Sequence, residues 1–356
     1  MTILNVALLF GGRSAEHEVT MAAARAVYEA LDRKRYTPIL VRIAPDGKWW
    51  LHENALRFPL DMESSGAQIA LLPGGGGKAL IHRCNGGERS GTCHIDVVLA
   101  NVCDGVLQGI LETAQVPFVG SRLPAAAICR DKQMTKRILR DAGLPIARFI
   151  ALTTREAANF QFAQETLCSR SLIVKPASFH SSIGVSRVTC ESEFQAAVDL
   201  AFGHGSKVLI EEFVQAREFE CAILQEAEKE SNLLCPWPCE IIPTEKAAFF
   251  TYKAKLDEKE VIMKTKAEIE DVVADRVQAL SREAFRVIGC EALARVDLFM
   301  RPNGELLINE VGSKPDITPS SMFARMMAES GMPYDALLQR LLEDAIERSA
   351  RARAVL

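Results

Sequence analysis

Two apolar runs near the C-terminal end, "ARVDLFM" at 294 to 300 and "ELLINEV" at 305 to 311, are separated by the turn "RPNG", and each is interrupted by an acid, Asp297 and Glu310. Turn chemistry between two β-type runs predicts a pair of neighbouring strands. An acid in so apolar a strand needs a cation or a hydrogen-bond donor to offset its desolvation. The segment "LLINEVGSKPDITPSS" then leaves the strand abruptly for a loop rich in Gly, Pro and Ser. A chain of this kind must fold into a sheet that carries charge out of its core to one edge.

The rest of the sequence supplies the frame for that sheet. "ILNVALLF" reads as a first strand ending at Gly11 and Gly12, "EVTMAAARAVYEALDRKRY" has helical spacing, and "TPILVRIA" is a second strand, which together make a βαβ start. "HIDVVLANV" is a further buried strand and "GVLQGILETAQ" a short helix. One helical pattern is predicted from Pro124 to a capping Gly143, and another near 266 to 289. "RSLIVKPASFHSSIGVSRV" reads as strand, polar loop, strand, "KVLIEEFVQAREFECAIL" as two strands, and the last ~25 residues as an amphipathic helix. The class is α/β, and 356 residues are too many for one ordinary core.

Composition narrows the function. The 48% hydrophobic and 25% charged fractions are those of a soluble globular protein, and no apolar run reaches the ~18 to 20 residues needed to span a bilayer. The N-terminus lacks a basic region and a cleavage signal, so a cytoplasmic location is expected. Ten scattered cysteines, several in apolar segments, fit reduced buried thiols better than a disulfide framework. A net charge of -4 gives no electrostatic reason to expect nucleic acid, and no membrane role is expected either.

Three local features invite a sharper reading than they support. "PGGGGK" at 73 to 78 resembles a phosphate loop, but Leu72 and Ala79 stand where that pattern needs Gly and Ser or Thr, so a hairpin tip is expected. His82, Cys84, Cys93 and His94 match no established zinc spacing, and two strands flanking a loop explain them. "GGRSAEHEV" lacks the glycine spacing of a dinucleotide loop.

The charged residues are more informative taken together. Lys132, Lys175, Glu211, Glu218, Lys255, Arg295, Asp297 and Glu310 each fall at a helix start, in a strand or beside a polar loop. Any one of them alone is explained by a solvated or paired surface charge. As a set they fit nucleotide phosphates and Mg²⁺: two acids on adjacent strands for the metal, compact lysine charges for polyphosphate oxygens, and in "SFHSSIG" a loop whose backbone N–H groups close over a phosphate.

The motifs "LLFGGRSAEHEV", "DGVLQGILETAQVPFVGS", "DKQMTKRILRDAGLP", "IVKPASFHSSIGVSRV", "IEEFVQAREFE", "YKAKL", "ARVDLF" and "NEVGSKPDITPSSM" occur in order over nearly the whole chain. In this the sequence resembles the D-alanine–D-alanine ligases of the ATP-grasp superfamily. The resemblance implies an ATP-grasp fold of three α/β domains: a Rossmann-like N-terminal domain over 1–122, a central lid domain over 123–207, and a C-terminal domain over 208–356 with the metal and second-substrate sites. It implies ATP and Mg²⁺ (or Mn²⁺) as cofactors, small amino-acid or amine substrates, and a homodimer.

Site roles follow from the same resemblance. Lys132 and Lys175 would contact the phosphates, with Ser182 in the phosphate loop; Glu211 would hold the adenine amine, Phe213 border the ring, and Glu218 take the ribose hydroxyls. Asp297 and Glu310 would hold the metal while a substrate carboxylate attacks the γ-phosphorus to give an acyl phosphate. Arg295 would stabilise the oxyanion formed when the amine attacks, and Lys255 would reach the transferred phosphoryl as its loop closes. Glu16 would hold the first substrate's ammonium, Ser181 would link Glu16 to the lid, and Ser321 with the backbone of Met322 would bind the second carboxylate.

The sequence also departs from the family pattern. Gly312 stands where an Asn completes the metal pair, and because side chains two apart share a strand face, the adjacent Asn309 is not expected to replace it, whereas water or Asp316 is. Asp316 itself replaces a Gly, His180 replaces a Gly in the phosphate loop, Leu256 replaces a lid aromatic, and the stretch before Asp104 and Gly105 is shortened. Clustered in the amino-acid sites and lid, these changes favour an ATP-dependent ligase of specialised metabolism, with the cell-wall dipeptide ligase as one alternative and a non-catalytic ATP-binding paralogue as another.

Overall fold

The computed structural model of the chain describes residues 2–12, 17–52, 67–83, 91–101, 105–178, 183–226, 232–244 and 261–355. Three sheets follow one another along it. Leu4–Gly11 (β1), Tyr36–Ile43 (β2), Trp49–His52 (β3), Ala67–Leu71 (β4), Lys78–Arg83 (β5), Gly91–His94 (β6) and Val97–Ala100 (β7) form the first, in the order β6-β5-β4-β3-β2-β1-β7. β1 pairs in parallel with both β2 and β7, and the helix His17–Ala30 makes the crossover from β1 to β2. A central parallel strand is covered on both faces, which is why Val6 to Phe10 is one apolar run, each residue no more than 1% exposed. The glycines of 73 to 77 turn β4 back onto β5, and a Cβ on Gly77, at positive φ, would stand 2.0 Å from the Ile95 carbonyl oxygen.

Phe149–Leu152 (β8), Leu172–Pro176 (β9), Ser186–Val188 (β10) and Val208–Glu212 (β11) form a four-stranded antiparallel sheet ordered β10-β9-β11-β8. Its alternate residues Leu172, Val174, Val208 and Ile210 pack with Phe194 and Val198 of the helix Glu191–Phe202. The period of two leaves Ile173, Lys175 and Glu211 for the opposite face.

Arg217–Gln225 (β12), Leu233–Leu234 (β13), Cys239–Pro243 (β14), Val261–Lys264 (β15), Leu293–Met300 (β16) and Leu306–Gly312 (β17) make the third sheet, ordered β15-β14-β12-β16-β17 with β13 beside β12. Phe219, Cys221, Val296, Leu298, Ile308 and Val311 pack on Val277, Ala284 and Phe285 of the helix Asp271–Ile288. The first and third sheets share a core in which Val6, Leu8 and Phe10 meet Leu224 and Leu293 together with Phe323, Leu338 and Leu342 of the C-terminal helices. The four-stranded sheet has a core of its own.

The helix expected over 124 to 143 is two, Leu123–Arg130 and Lys132–Asp141. Asp131 divides them, its carboxylate accepting hydrogen bonds from the backbone N–H groups of Gln133 and Met134 and so capping the second helix. The described cysteines are all free thiols. Among the described residues no helix is long and apolar enough to cross a membrane.

Candidate active site

A cleft opens between the four-stranded sheet and the third sheet. On the third sheet, alternation decides what enters it. Val296 and Leu298 go to the core, which turns Arg295, Asp297 and Phe299 of β16 the other way. On β12, Phe219, Cys221 and Ile223 are core residues, which turns Glu218 and Glu220 toward the cleft. The antiparallel register sets Glu220 opposite Asp297 and Ala222 opposite Arg295. The Arg295 guanidinium grips Asp297 with two hydrogen bonds, Nε to Oδ1 at 2.6 Å and Nη2 to Oδ2 at 2.7 Å, and lies 3.7 Å from Glu220 Oε1. Burial alone would lower the arginine's pKa, but Asp297 and Glu220 outweigh it and raise it well above its ordinary value.

β17 reaches the same face by an irregularity. Asp297 pairs with Glu310, whereas the next residue, Leu298, pairs with Ile308, so Asn309 is the extra residue of a β-bulge. Ile308 and Val311 both belong to the core, and the two residues between them, Asn309 and Glu310, both line the cleft. A regular strand would have sent Glu310 to the side of Ile308. The expectation that Asn309 points away from the acids is therefore corrected: the bulge changes the parity of the strand at that residue. Asp316 takes no part, since it is exposed and its two carboxylate oxygens accept from the Thr318 N–H and hydroxyl, both at 2.9 Å.

Lysines come from two other elements. Lys132, first residue of the helix capped by Asp131, sets its Nζ 3.1 Å from Glu310 Oε1. Lys136, one turn further along the same helix face, is buried, with Nζ 3.3 Å from Glu211 Oε1. Lys175 of β9 reaches that same oxygen at 2.8 Å. Burial would raise the Glu211 carboxyl, but the two ammoniums outweigh it and hold its pKa below the usual range; burial likewise pushes the Lys136 ammonium down. Glu212, next along, pairs at 3.0 Å with Arg148 and at 2.8 Å with Arg301.

This arrangement suits a nucleotide and its metal. Lys136 and Lys175 share one carboxylate, so that corner carries surplus positive charge fitting phosphate oxygens. Among the described residues no three His, Cys, Asp or Glu side chains gather into a ready metal site. Mg²⁺ needs no such cage, because one or two carboxylates with substrate phosphates suffice, and Asp297 and Glu310 are hard oxygen donors side by side across β16 and β17.

Of the residues expected from sequence, Lys132, Lys175, Glu211, Phe213, Glu218, Asp297 and Glu310 line the cleft, and Arg295 adjoins it through Asp297. Phe213 lies under the Arg187 guanidinium, 3.8 Å from its ring centroid. Ser321 caps the helix Met322–Glu329, accepting from the Ala324 N–H, and Met322 is buried; neither lines the cleft. Glu16, Ser181, Ser182 and Lys255, with His180, Leu256 and Asp104, lie outside the described residues. Sequence reasoning missed Glu220, Lys136 and the orientation of Asn309. The first two carried a signal, a period of two from Glu218 and a period of four from Lys132.

Comparison with known proteins agrees with this geometry. The family model described as D-ala D-ala ligase N-terminus matches residues 5–121, and that described as D-ala D-ala ligase C-terminus matches 138–343. The chain is 39% identical to D-alanine–D-alanine ligase A of Mesorhizobium japonicum, over 98% of each chain. It is 38% identical to the Escherichia coli K12 protein of the same name, over 100% of this chain and 99% of the other. Among solved structures, the D-alanine–D-alanine ligase of Coxiella burnetii superimposes with a TM-score of 0.85 at 28% identity, covering 100% of this chain and 97% of that one. The VanG D-Ala:D-Ser ligase of Enterococcus faecalis gives 0.82 at 26%, covering 97% and 100%. With both halves matched in order and its acids and lysines converging on one cleft, the chain is an ATP-grasp enzyme and belongs to the D-alanine–D-alanine ligase family.

Proposed function

We propose that this enzyme joins two D-alanines in an ATP-dependent reaction that releases ADP and phosphate. The observation that carries the reading is similarity over the full length to curated D-alanine–D-alanine ligases, combined with a cleft that has the charges such a reaction needs. The departures at His180, Leu256, Gly312 and Asp316 argued first for specialised substrates; the full-length similarity supports the cell-wall dipeptide ligase better. A non-catalytic role is set aside with the family assignment.

In this reading ATP lies between the four-stranded and third sheets, with Phe213 bordering the adenine and Glu218 taking the ribose hydroxyls. Lys136 and Lys175 meet the same oxygen of Glu211, which leaves its other oxygen for the adenine amine. Lys132 and Lys175 hold the phosphates, and Ser182 belongs to the loop over them. Mg²⁺, or Mn²⁺, held by Asp297 and Glu310, neutralises phosphate oxygens when bound. The first substrate's ammonium rests on Glu16, linked through Ser181 to the lid, and its carboxylate attacks the γ-phosphorus as Lys255 follows the transferred group. The second D-alanine, its carboxylate at Ser321 and the Met322 backbone, attacks the acyl phosphate through its amine and expels phosphate. Arg295 spends Nε and Nη2 on Asp297, so its Nη1 is available to the oxyanion.

The three sheets are assigned to three domains, divided near residues 122 and 207, in a cytoplasmic homodimer. Phosphate release with ATP, Mg²⁺ and a panel of D- and L-amino acids and small amines, products identified by mass, tests the chemistry. D-alanyl-D-alanine as the main product is the expected result. Because a D-Ala:D-Ser ligase is among the similar structures, D-serine belongs in the panel; products made only from L-amino acids or amines would reject the reading.

A further inference from the structure

Position 312 shares the cleft side of β17 with Glu310 but is a glycine, so the strand offers no second side-chain donor there. Nothing steric demands this: a Cβ on Gly312 would meet only the Arg295 carbonyl oxygen, at 3.8 Å. Asp316, the nearest acid downstream, has both oxygens engaged by Thr318. The bulge instead delivers Asn309 to the cleft directly beside Glu310 and close to Asp297. No hydrogen bond is found for the Asn309 amide among the described residues, although it lines a cleft crowded with charged groups.

From this geometry we infer that the Asn309 side-chain oxygen is a ligand of the divalent cation, taking the place that Gly312 leaves empty. The inference rests on the reading of this cleft as a nucleotide and metal site. An amide oxygen is a hard donor of the kind Mg²⁺ and Mn²⁺ accept. It is also neutral. Asp297, Glu310 and Glu220 already bring three carboxylates to this region, balanced by Arg295 and Lys132, so an amide would add an oxygen donor without adding to their charge.

The test is a titration of the full-length protein with Mn²⁺ in the presence of ADP, following free Mn²⁺ by electron paramagnetic resonance. ADP affinity in EDTA and thermal melting are measured in parallel. Asn309→Ala is expected to weaken Mn²⁺ binding about 10-fold or more while metal-free ADP affinity stays at the wild-type value. Asn309→Asp, which keeps an oxygen at that position, is expected to retain Mn²⁺, and Asn309→Ala combined with Gly312→Asn to recover most of the loss. Unchanged Mn²⁺ affinity in Asn309→Ala, with ADP still bound, would overturn the inference and leave the nucleotide site standing, as would an Asn309→Asp protein that melts normally yet loses the metal. A wild-type protein that binds neither ADP nor Mn²⁺ would overturn both.

Discussion

Glu220 stands opposite Asp297 in the register of β12 and β16, and both carboxylates address one guanidinium, that of Arg295. The pairing keeps a partly buried arginine charged and fixes its orientation through two hydrogen bonds to Asp297. It also ties the group proposed for the oxyanion to one of the acids proposed for the metal.

Removing Arg295 should therefore separate chemistry from binding. Arg295→Ala is expected to lower turnover by on the order of 100-fold or more. ADP affinity should change far less. Arg295→Lys should not restore the rate, because an ammonium cannot reproduce the two-point contact with Asp297. Steady-state kinetics beside calorimetric ADP binding checks this, and equal loss of both would assign Arg295 to nucleotide binding instead.

Glu218 makes the complementary case. If its carboxylate takes the ribose hydroxyls, Glu218→Ala should weaken ATP binding by roughly 1 to 3 kcal/mol, the scale of a hydrogen bond to a charged group. Unchanged affinity in the same calorimetric assay would remove it from the nucleotide site.

The Lys136, Glu211 and Lys175 cluster makes a stability prediction. Glu211→Gln leaves two ammoniums without their shared counter-charge and should cost roughly 3 to 5 kcal/mol. Lys136→Met leaves Glu211 paired with Lys175 and should cost less, about 1 to 3 kcal/mol. Saturating nucleotide should recover less stability in Glu211→Gln than in wild type, since the adenine amine loses the carboxylate proposed for it. Urea unfolding with and without ADP measures each value.

The same cluster dictates a pH dependence. The Glu211 pKa is held below its unfolded value by Lys136 and Lys175 against the effect of burial. The unfolded chain then binds the proton more readily than the folded one. Stability from this group is complete above an unfolded carboxyl pKa of about 4.3 and is lost as pH falls through the lower folded value. Glu212, lowered by Arg148 and Arg301, acts in the same direction. Unfolding free energy of wild type should thus fall more steeply below about pH 4.3 than that of Glu211→Gln; parallel slopes would show that the ammoniums do not govern this carboxyl.

Much of this was readable in the sequence because strand alternation and turn chemistry are local. Arg295, Asp297 and Phe299 follow from the single fact that Val296 and Leu298 must be buried. Where the reading failed, the cause was nonlocal or a break in period. Asp131 looked like one polar residue in a continuous helix, because nothing in apolar spacing distinguishes a cap from a surface position. Asn309 looked misdirected because the bulge depends on Ile308 and Val311 both finding partners on the helix Asp271–Ile288, which pairwise alternation does not reveal. Lys136 went unnoticed because its partner, Glu211, comes from a strand distant in the sequence.

The separate core of the four-stranded sheet has a mechanical consequence. No apolar residue of that core belongs to the others, whereas the first and third sheets are welded through the C-terminal helices. Among the described residues the seam carries polar contacts, Lys136 to Glu211, Lys207 to Asp131, Arg301 to Glu212 and the Lys132 N–H to the Ala177 carbonyl, beside a small apolar cluster of Ala147, Val214 and Leu307. The buried Lys136 to Glu211 contact is costly to break unless another anion takes the place of the carboxylate. The β8 to β11 plate is thus fastened to the rest of the molecule largely through charge, and an anion entering the cleft meets Lys136, a side chain that also fastens the plate.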